Sequence, residues 1–470
     1  MKRQLKKFYD FLDDRLGIMT VLEATALHKV PKSSGRWSYV FGSATLTCLV
    51  IQVVTGVALA LLYQPSTETA YESLQWISNS APLGAWLRGL HYFGASGMVV
   101  MMMCHMVRVY LMAAYKYPRE MSWLTGVALL GLTVSMAFTG QLLRWDDVGV
   151  WSTYVAAEQM GRIPVVGKFV AYLLIGGETV GGHTLSRFFA YHVFVLPGLL
   201  FSLVGVHLYL VLRHGISEPP VVGETVDPET YREKYEKLIK KTGVPFFPDA
   251  AWRDIVFALL VVLVLSALAV MVGAPALGGP PDPTKIDVTP GPDWYLVWIF
   301  ALYALMPPGI EDYVIVGGPL VGVIVLLAIP FLAPRGERHV LRRPWAAIGV
   351  VLSVGIVGAL TVIGFKAPWS PNFNAEPLPV AVLGESFDHD QARGLDLFNT
   401  KGCLYCHDIG GHGGHRGPNL TEVNERLDRD ELIVRIVNGG KFMPAYGGSL
   451  SKEEIEQLAS FLLTKKAPVK

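Results

Sequence analysis

The sequence predicts an all-α protein: a seven-helix transmembrane bundle, built as four helices plus three, followed by a small soluble helical domain. Three observations lead there. Of 470 residues, 51% are hydrophobic and only 17% charged, whereas a soluble domain carries about a quarter charged residues. Seven stretches supply the roughly 20 mostly apolar residues that a crossing helix needs. After residue 386 the composition turns polar, glycine-rich and charged. Lys+Arg 40 against Asp+Glu 39 leaves a net charge of +1, which argues against a nucleic-acid partner and the basic excess it would require. Four cysteines in this length exclude a disulfide scaffold.

Taken in order, residues 1–37 form a basic, amphipathic lead. It lacks the short apolar core and cleavage site of a signal peptide, so the first span is expected to act as the targeting signal. Spans at 38–63, 88–113, 122–143 and 187–213 make a four-helix part over 38–218, and a cytoplasmic linker fills 219–251. Spans at 252–273, 312–333 and 344–365 make a three-helix part over 252–365. The apolar run Trp294–Met306 stops at Pro307-Pro308 and is too short to cross, which predicts a surface or re-entrant helix. Residues 366–386, with Pro368, Pro371, Pro377 and Pro379, read as an extended, semi-rigid linker. The module 387–470 should hold helices over Phe387–Thr400 and Leu450–Leu463, the second capped by Ser451 with Glu454 three residues on.

Loop charges orient the bundle. The lead, the 114–121 and 214–251 loops and the segment before the last span carry 19 Lys and Arg; the alternate loops carry 5, Lys285 being the single one in 274–311. This places the N-terminus in the cytoplasm and, after seven spans, the C-terminal module on the outer face.

Two spans carry paired histidines. His91 and His105 lie 14 residues apart in the second, and His192 and His207 lie 15 apart in the fourth. Fourteen helical steps return to within about 40° of the same face, roughly 21 Å along the axis. Both helices run outside to inside, so His91 meets His192 near the outer surface and His105 meets His207 near the inner one. Ionisable residues inside a membrane are costly and point to function. Two facing imidazole pairs at two depths suit two non-covalent haems stacked across the bilayer; four helix-packing histidines are the plainer alternative. Gly42 and Gly56 in the first span, and Gly126 and Gly140 in the third, repeat the 14-residue spacing. A flat macrocycle lying against a helix needs such positions. Arg88, Arg108 and Arg119 near the helix ends could pair with haem propionates, or serve as plain interfacial charge.

In the C-terminal module, Cys403-Leu-Tyr-Cys406-His407 is the attachment motif of covalent c-type haem. His407 supplies one axial ligand, and Met443, within Gly-Gly-Lys-Phe-Met-Pro, the second. Zinc binding is the rival reading. His389, His412 and His415 read as surface residues of a glycine-rich loop, and Cys48 and Cys104 as buried apolar thiols.

The His91/His105/His192/His207 pattern, together with Pro292-Asp293-Trp294-Tyr295, resembles the cytochrome b subunit of quinol–cytochrome c oxidoreductase (cytochrome bc) complexes. The 15-residue spacing, the seven spans, and stretches such as Arg187-Phe188-Phe189 and His214-Gly215-Ile216-Ser217 look like the chloroplast and cyanobacterial branch. That branch divides the four-span and three-span parts between two chains; here they are fused, and a class I cytochrome c domain is added.

The resemblance implies a respiratory enzyme subunit of a bacterial cytoplasmic membrane, in a homodimeric, proton-translocating complex. Quinol is oxidised in an outer pocket, one electron going to a Rieske iron–sulfur protein and the other across two b haems to an inner quinone site. Asp293 stands where most members carry Glu and would accept a quinol proton, in a motif formed with Pro292, Trp294 and Tyr295. Trp145 and Asp146 are further pocket candidates. Val40 occupies the position at which the chloroplast branch attaches an extra haem through cysteine, so no such covalent haem is expected. Arg144 replaces a proline before Trp145. A Rieske centre needs two cysteines and two histidines. Cys403 and Cys406 are committed elsewhere and Cys48 and Cys104 lie in spans, so a separate Rieske partner is required. The fused c domain is its expected acceptor, passing electrons to a downstream cytochrome c or terminal oxidase. A di-haem membrane anchor and conduit of a dehydrogenase is the alternative function; a non-catalytic assembly subunit is a third. The anchor accounts for neither Pro292–Tyr295 nor the three later spans, and the four-ligand histidine pattern argues against the assembly subunit.

Overall fold

Among the described residues of the computed structural model (2–282, 288, 290–307, 310–367, 369–379, 387–440 and 443–464), seven helices are long and apolar enough to cross a membrane. Lys285, Pro308, Pro368, the 380–386 end of the proline-rich linker, and Lys441 and Phe442 before Met443 lie outside the described residues. The chain divides into two units, Met1–Ala359 and Leu360–Lys470, and the first holds most of the membrane helices.

The lead forms helix α1 (Lys2–Leu16). The first four spans are α2 (Phe41–Ala60), α3 (Gly84–Leu111), α4 (Glu120–Leu142) and, after a surface helix α5 (Asp147–Gly161), α6 (Gly182–His214). A polar linker helix α7 (Tyr231–Thr242) leads to α8 (Ala251–Met271). The short α9 (Val297–Ala304) is followed by the last two spans, α10 (Glu311–Leu332) and α11 (Pro344–Lys366). Each span lies within a few residues of its expected place. α2 begins at Phe41 because Trp37–Tyr39 forms a tight turn first, and α3 starts just after Leu83, whose left-handed backbone (φ 58) blocks extension further back.

The loops gather at two opposite ends of the bundle. At one end, Lys29–Pro31 pairs antiparallel with Gly243–Pro245, and Thr225–Val226 with Gly336–Glu337. There Arg119 donates to the carbonyls of Gly215 (3.0 Å) and His214 (3.1 Å) and to the Tyr231 hydroxyl (2.7 Å). Arg338 in turn pairs with Glu218 at 2.5 Å. At the other end, the Tyr71 hydroxyl donates to Gly278 O (2.7 Å), Asp147 N–H to Gly279 O (2.9 Å) and Arg88 to Pro275 O (2.7 Å). The four lysine- and arginine-rich segments therefore share one end, and the three poor ones the other.

Lipid cannot drive apolar helices together, so close contacts between them rely on small residues. α8 packs on α3 where a Cβ added at Gly89 would lie 3.1 Å from Ala269, and one added at Gly97 would lie 3.2 Å from Leu265. The shared core comprises Ala44, Cys48 and Leu49 of α2, Leu90 and Met98 of α3, Leu200 of α6 and Val261 and Leu265 of α8. Cys48 is fully buried there, the inert thiol expected of it.

The second unit contains α12 (His389–Thr400), α13 (Arg429–Asn438) and α14 (Lys452–Leu463). α12 starts two residues later than expected because Asp388 caps it, accepting the Gln391 N–H at 2.8 Å. Ser451 and Glu454 form the expected capping box on α14. α12 crosses α14 so closely that a Cβ on Gly394 would meet Gln457 O at 2.0 Å. Leu397, Phe398, Leu404, Ile436, Leu458 and Phe461 fill the core between the helices.

Candidate haem and redox site

α3 and α6 bring their histidines face to face. The rings of His91 and His192 lie 6.2 Å apart between centroids, at 75° to each other. That spacing leaves room for one metal ion between the two rings, given N–metal bonds of about 2.0 Å. His105 and His207 lie within electrostatic reach of each other at the second depth. The unequal spacing, 14 residues on α3 and 15 on α6, is reconciled by a π-turn over Tyr191–Val195, in which the Leu196 N–H reaches back five residues to Tyr191 O. Pro197, which has no N–H to give, follows directly. Such a turn inserts one extra residue, so both helices present their histidines on one stripe.

Each predicted glycine faces one histidine of a neighbouring helix. A Cβ at Gly42 would lie 3.1 Å from His105 Cε1; at Gly56, 3.2 Å from His91; at Gly126, 3.7 Å from His207; at Gly140, 2.7 Å from His192. The last distance leaves no room for a methyl group. Gly140→Ala is therefore expected to displace the His192 ring and lose haem from that level; haem content of the purified variant checks this.

Sequence reasoning missed what holds the rings. The Nδ1 atoms of His91, His207 and His192 lie 2.9, 2.8 and 3.1 Å from the hydroxyls of Thr55, Thr125 and Thr139. Gln52 also donates to His91 O at 2.8 Å. The recurring Thr-Gly pairs at 55–56, 125–126 and 139–140 carried that signal in the sequence.

Of the three candidate propionate arginines, one fits. Arg108 stacks on Tyr39 at 3.6 Å, and its Nε and Nη2 are buried without a hydrogen-bond partner. Those orphaned donors suit a haem carboxylate. Arg119 is corrected: Nε, Nη1 and Nη2 already bind Gly215, Tyr231 and His214, and it holds two chain segments together. Arg88 spends Nη1 on Ser78 (3.1 Å) and Nη2 on Pro275 O. The glycine cradles, the ring pairs and Arg108 together fit two haems.

The Pro292–Tyr295 turn sits at the His91/His192 end. Gly291 O accepts from Gln141 (2.8 Å) and Ser152 (3.2 Å), and Trp294 Nε1 donates to Ser96 on α3 at 3.2 Å. Gln141 follows Gly140, so the helix that faces His192 also holds this turn. The Tyr295 hydroxyl donates to Asp293 Oδ2 at 2.8 Å. Burial pushes the Asp293 carboxyl above its ordinary range, against the opposing pull of Tyr295 and Arg144. Tyr92, next to His91, lies within electrostatic reach of both Asp293 and Tyr295. Trp145 and Asp146 are corrected. Trp145 is buried in a cluster with Leu142 and Phe188. Asp146 is fully buried, and its oxygens go to Gly149 N–H (2.8 Å), Gly278 N–H (2.9 Å) and Arg144 (2.5 Å). Arg144, in place of the expected proline, thus braces this loop by an ion pair. Val40 is buried just before α2.

In the second unit, Cys403 and Cys406 bracket a single helical turn and His407 follows it. The His407 Nδ1 donates to Pro418 O at 2.8 Å, directing Nε2 outward. Burial holds this imidazole below its ordinary pKa, so the ring is neutral and able to ligate. Burial also pushes the Cys403 thiol up to about 12. Gly417 admits the ring, since a Cβ there would lie 2.5 Å from His407 Cε1. The loop bearing Met443 folds back onto this segment through Tyr446, whose hydroxyl donates to Lys401 O at 3.2 Å and which lies within electrostatic reach of both cysteines. Among the described residues, no cluster of three or more His, Cys, Asp or Glu could hold a metal ion unaided.

Residues 28–215 match the family model described as cytochrome b/b6/petB, and 389–462 match that of cytochrome c oxidase, cbb3-type, subunit III. A cytochrome b6 of Synechococcus elongatus is 40% identical over 215 residues, 46% of this chain and 100% of its own length. The menaquinol:cytochrome c reductase cytochrome b subunit of Geobacillus thermodenitrificans is 39% identical over 222 residues, 46% of this chain and 99% of its own length. A solved structure titled hyperthermophilic respiratory Complex III aligns with a TM-score of 0.63 and 26% identity, covering 76% of this chain and 91% of its own. This integral membrane chain therefore belongs to the cytochrome b/b6 family: it is the haem-binding cytochrome b of a quinol:cytochrome c reductase-type complex, fused to a cytochrome c domain.

Proposed function

We propose that the chain oxidises quinol at the His91/His192 end, on the outer face of a bacterial cytoplasmic membrane, with its N-terminus in the cytoplasm. The observation that carries this is the half-buried Asp293–Tyr295 pair, anchored to the two elements that present His91 and Gly140. His91 with His192, and His105 with His207, hold two haem b, with Arg108 taking a propionate of the second. Cys403 and Cys406 attach a haem c, ligated by His407 and Met443. These groups supply one-electron carriers, so that of the two electrons of a quinol one can pass to a separate Rieske iron–sulfur protein and the other can cross to a quinone site at the His105/His207 end.

The protein's own part is binding, orientation and proton handling. Tyr295 holds Oδ2 of Asp293, and Oδ1 takes a proton from the quinol hydroxyl. Trp294 and Pro292 fix the turn that presents it. A base near its working pH serves best, and burial moves Asp293 in that direction. Protons released at this end and taken up at the other translocate charge across the membrane. The c domain receives electrons from the Rieske protein and passes them to a downstream cytochrome c or terminal oxidase, within a homodimeric complex. The domain limits that serve these roles are those read from the sequence, with the di-haem part at 38–218 and the c domain at 387–470.

Isolation of the tagged chain from its own membrane tests the partner. The reading expects a co-purifying Rieske protein with its iron–sulfur electron paramagnetic resonance signal, together with quinol:cytochrome c reductase activity. Co-purification with a dehydrogenase and no such signal would favour the membrane-anchor function instead.

A further inference from the structure

Arg144 stands just past the end of α4, where its Nη2 donates to Asp146 Oδ2 at 2.5 Å and to Ala276 O at 3.3 Å. Its Nε is buried without a hydrogen-bond partner. The Arg144 backbone N–H donates to Gln141 O (3.4 Å), and the Gln141 side chain donates to Gly291 O (2.8 Å), two residues before Asp293. One helix end therefore holds the quinol-site turn through Gln141 and carries a cation beside it. That guanidinium lies within electrostatic reach of the Asp293 carboxyl and of Tyr92 on α3. Asp146 does not cancel the charge. It caps α5, accepting from Gly149 N–H (2.8 Å), and accepts from Gly278 N–H (2.9 Å) as well. The positive end of that helix and the two backbone donors already offset its carboxylate, so Arg144 is fixed in place yet only partly compensated.

We propose that Arg144 is a positioning residue for quinol oxidation: a fixed positive charge, held by Asp146, that keeps Asp293 in its carboxylate form between turnovers. This rests on the assignment of Asp293 as the proton acceptor. Burial favours the neutral acid, which could not take a proton; the Tyr295 hydroxyl at 2.8 Å and the Arg144 charge favour the carboxylate. Tyr295 comes from the turn itself, Tyr92 from α3 and Arg144 from the end of α4; among the described residues these are the titratable and charged groups that face Asp293. In the transfer a proton passes from the quinol oxygen to Asp293 Oδ1, and Arg144 neither gives nor takes one. Its field acts before that step, when Asp293 must be ionised, and after it, when the proton must leave. A proline, the residue that the family resemblance leads one to expect at 144, would carry no such charge. Asp293 for glutamate and Arg144 for proline thus meet at one site.

Turnover of the purified complex with a soluble short-tailed quinol, followed against pH, tests this. Arg144→Gln and Arg144→Met each remove the charge and should move the midpoint of the acid limb upward by about one pH unit, so that the rate below it falls about tenfold. Arg144→Lys keeps the charge and should leave the midpoint near its wild-type place. Loss of a brace alone would lower the rate at every pH without moving the midpoint. The b-haem content is measured first, and either neutral variant that retains both haems suffices. A wild-type profile without the limb, or a limb that persists in Asp293→Asn, overturns the assignment of Asp293 and the role of Arg144 with it. A limb that Asp293→Asn abolishes but that stays in place in Arg144→Gln and Arg144→Met, or moves as far in Arg144→Lys, overturns the role of Arg144 alone. Loss of b haem from both neutral variants would make Arg144 a brace of the fold and overturn that role as well.

Discussion

His91→Ala is expected to lower the b-haem content from two to one per chain while leaving the c haem in place. His91 has three supports: the Thr55 hydroxyl at Nδ1, Gln52 at its carbonyl, and the space in front of Gly56. None of them can ligate iron in its place, so alanine leaves His192 as the single axial ligand at that level. The second level, some 21 Å away by helix rise, keeps both of its histidines, and Cys403 and Cys406 lie in the other unit. A ligand that binds only the folded state stabilises by about 4 kcal/mol at a thousandfold excess over its Kd. Loss of a haem should therefore lower the thermal midpoint as well. Pyridine haemochrome spectra give the count; a b-haem content unchanged in His91→Ala would remove this residue from the ligand set.

Asp293→Asn is expected to lower quinol:cytochrome c turnover by about a hundredfold or more, the usual worth of a general base, with both b haems retained. The amide preserves the shape of the turn and can still accept from Tyr295, but it cannot take a proton. The pH profile gives the sign. Because burial raises the Asp293 pKa, the carboxylate fraction, and with it the wild-type rate, should climb as pH rises through that value and level off above it. In Asp293→Asn this limb should disappear. Asp293→Glu, one methylene longer, restores a carboxylate and should recover much of the rate. A flat wild-type profile, or an Asn variant at full turnover, would place the proton acceptor elsewhere.

Much of this arrangement could be read from the chain. The seven spans follow from apolar length, and the two histidine levels from helical periodicity. The four glycines follow from a shared spacing that the structure resolves into one glycine per histidine. The sidedness read from lysine and arginine counts corresponds to two ends where the loops are physically tied together, by Arg119 and Arg338 at one and by Tyr71 and Arg88 at the other. Contacts that depend on three-dimensional partners were not legible. Arg119 looks in sequence like any interfacial arginine, and only the folding of Gly215, His214 and Tyr231 around it consumes its donors. Asp146 resembled a pocket acid, yet it caps α5 and pairs with Arg144. The π-turn at Tyr191–Val195 is one residue of slack that a periodicity of 3.6 cannot show. The threonines were hidden because a hydroxyl bonding its own helix is ordinary in membrane spans; its lone pair matters only once a histidine from another helix arrives.

The measurement that bears most directly on the whole account is the ratio of b to c haem in the purified wild-type chain, by pyridine haemochrome after acid–acetone extraction. The account predicts two extractable b haems for one c haem that stays with the polypeptide. One b haem, or a c haem that extracts with the others, would contradict it.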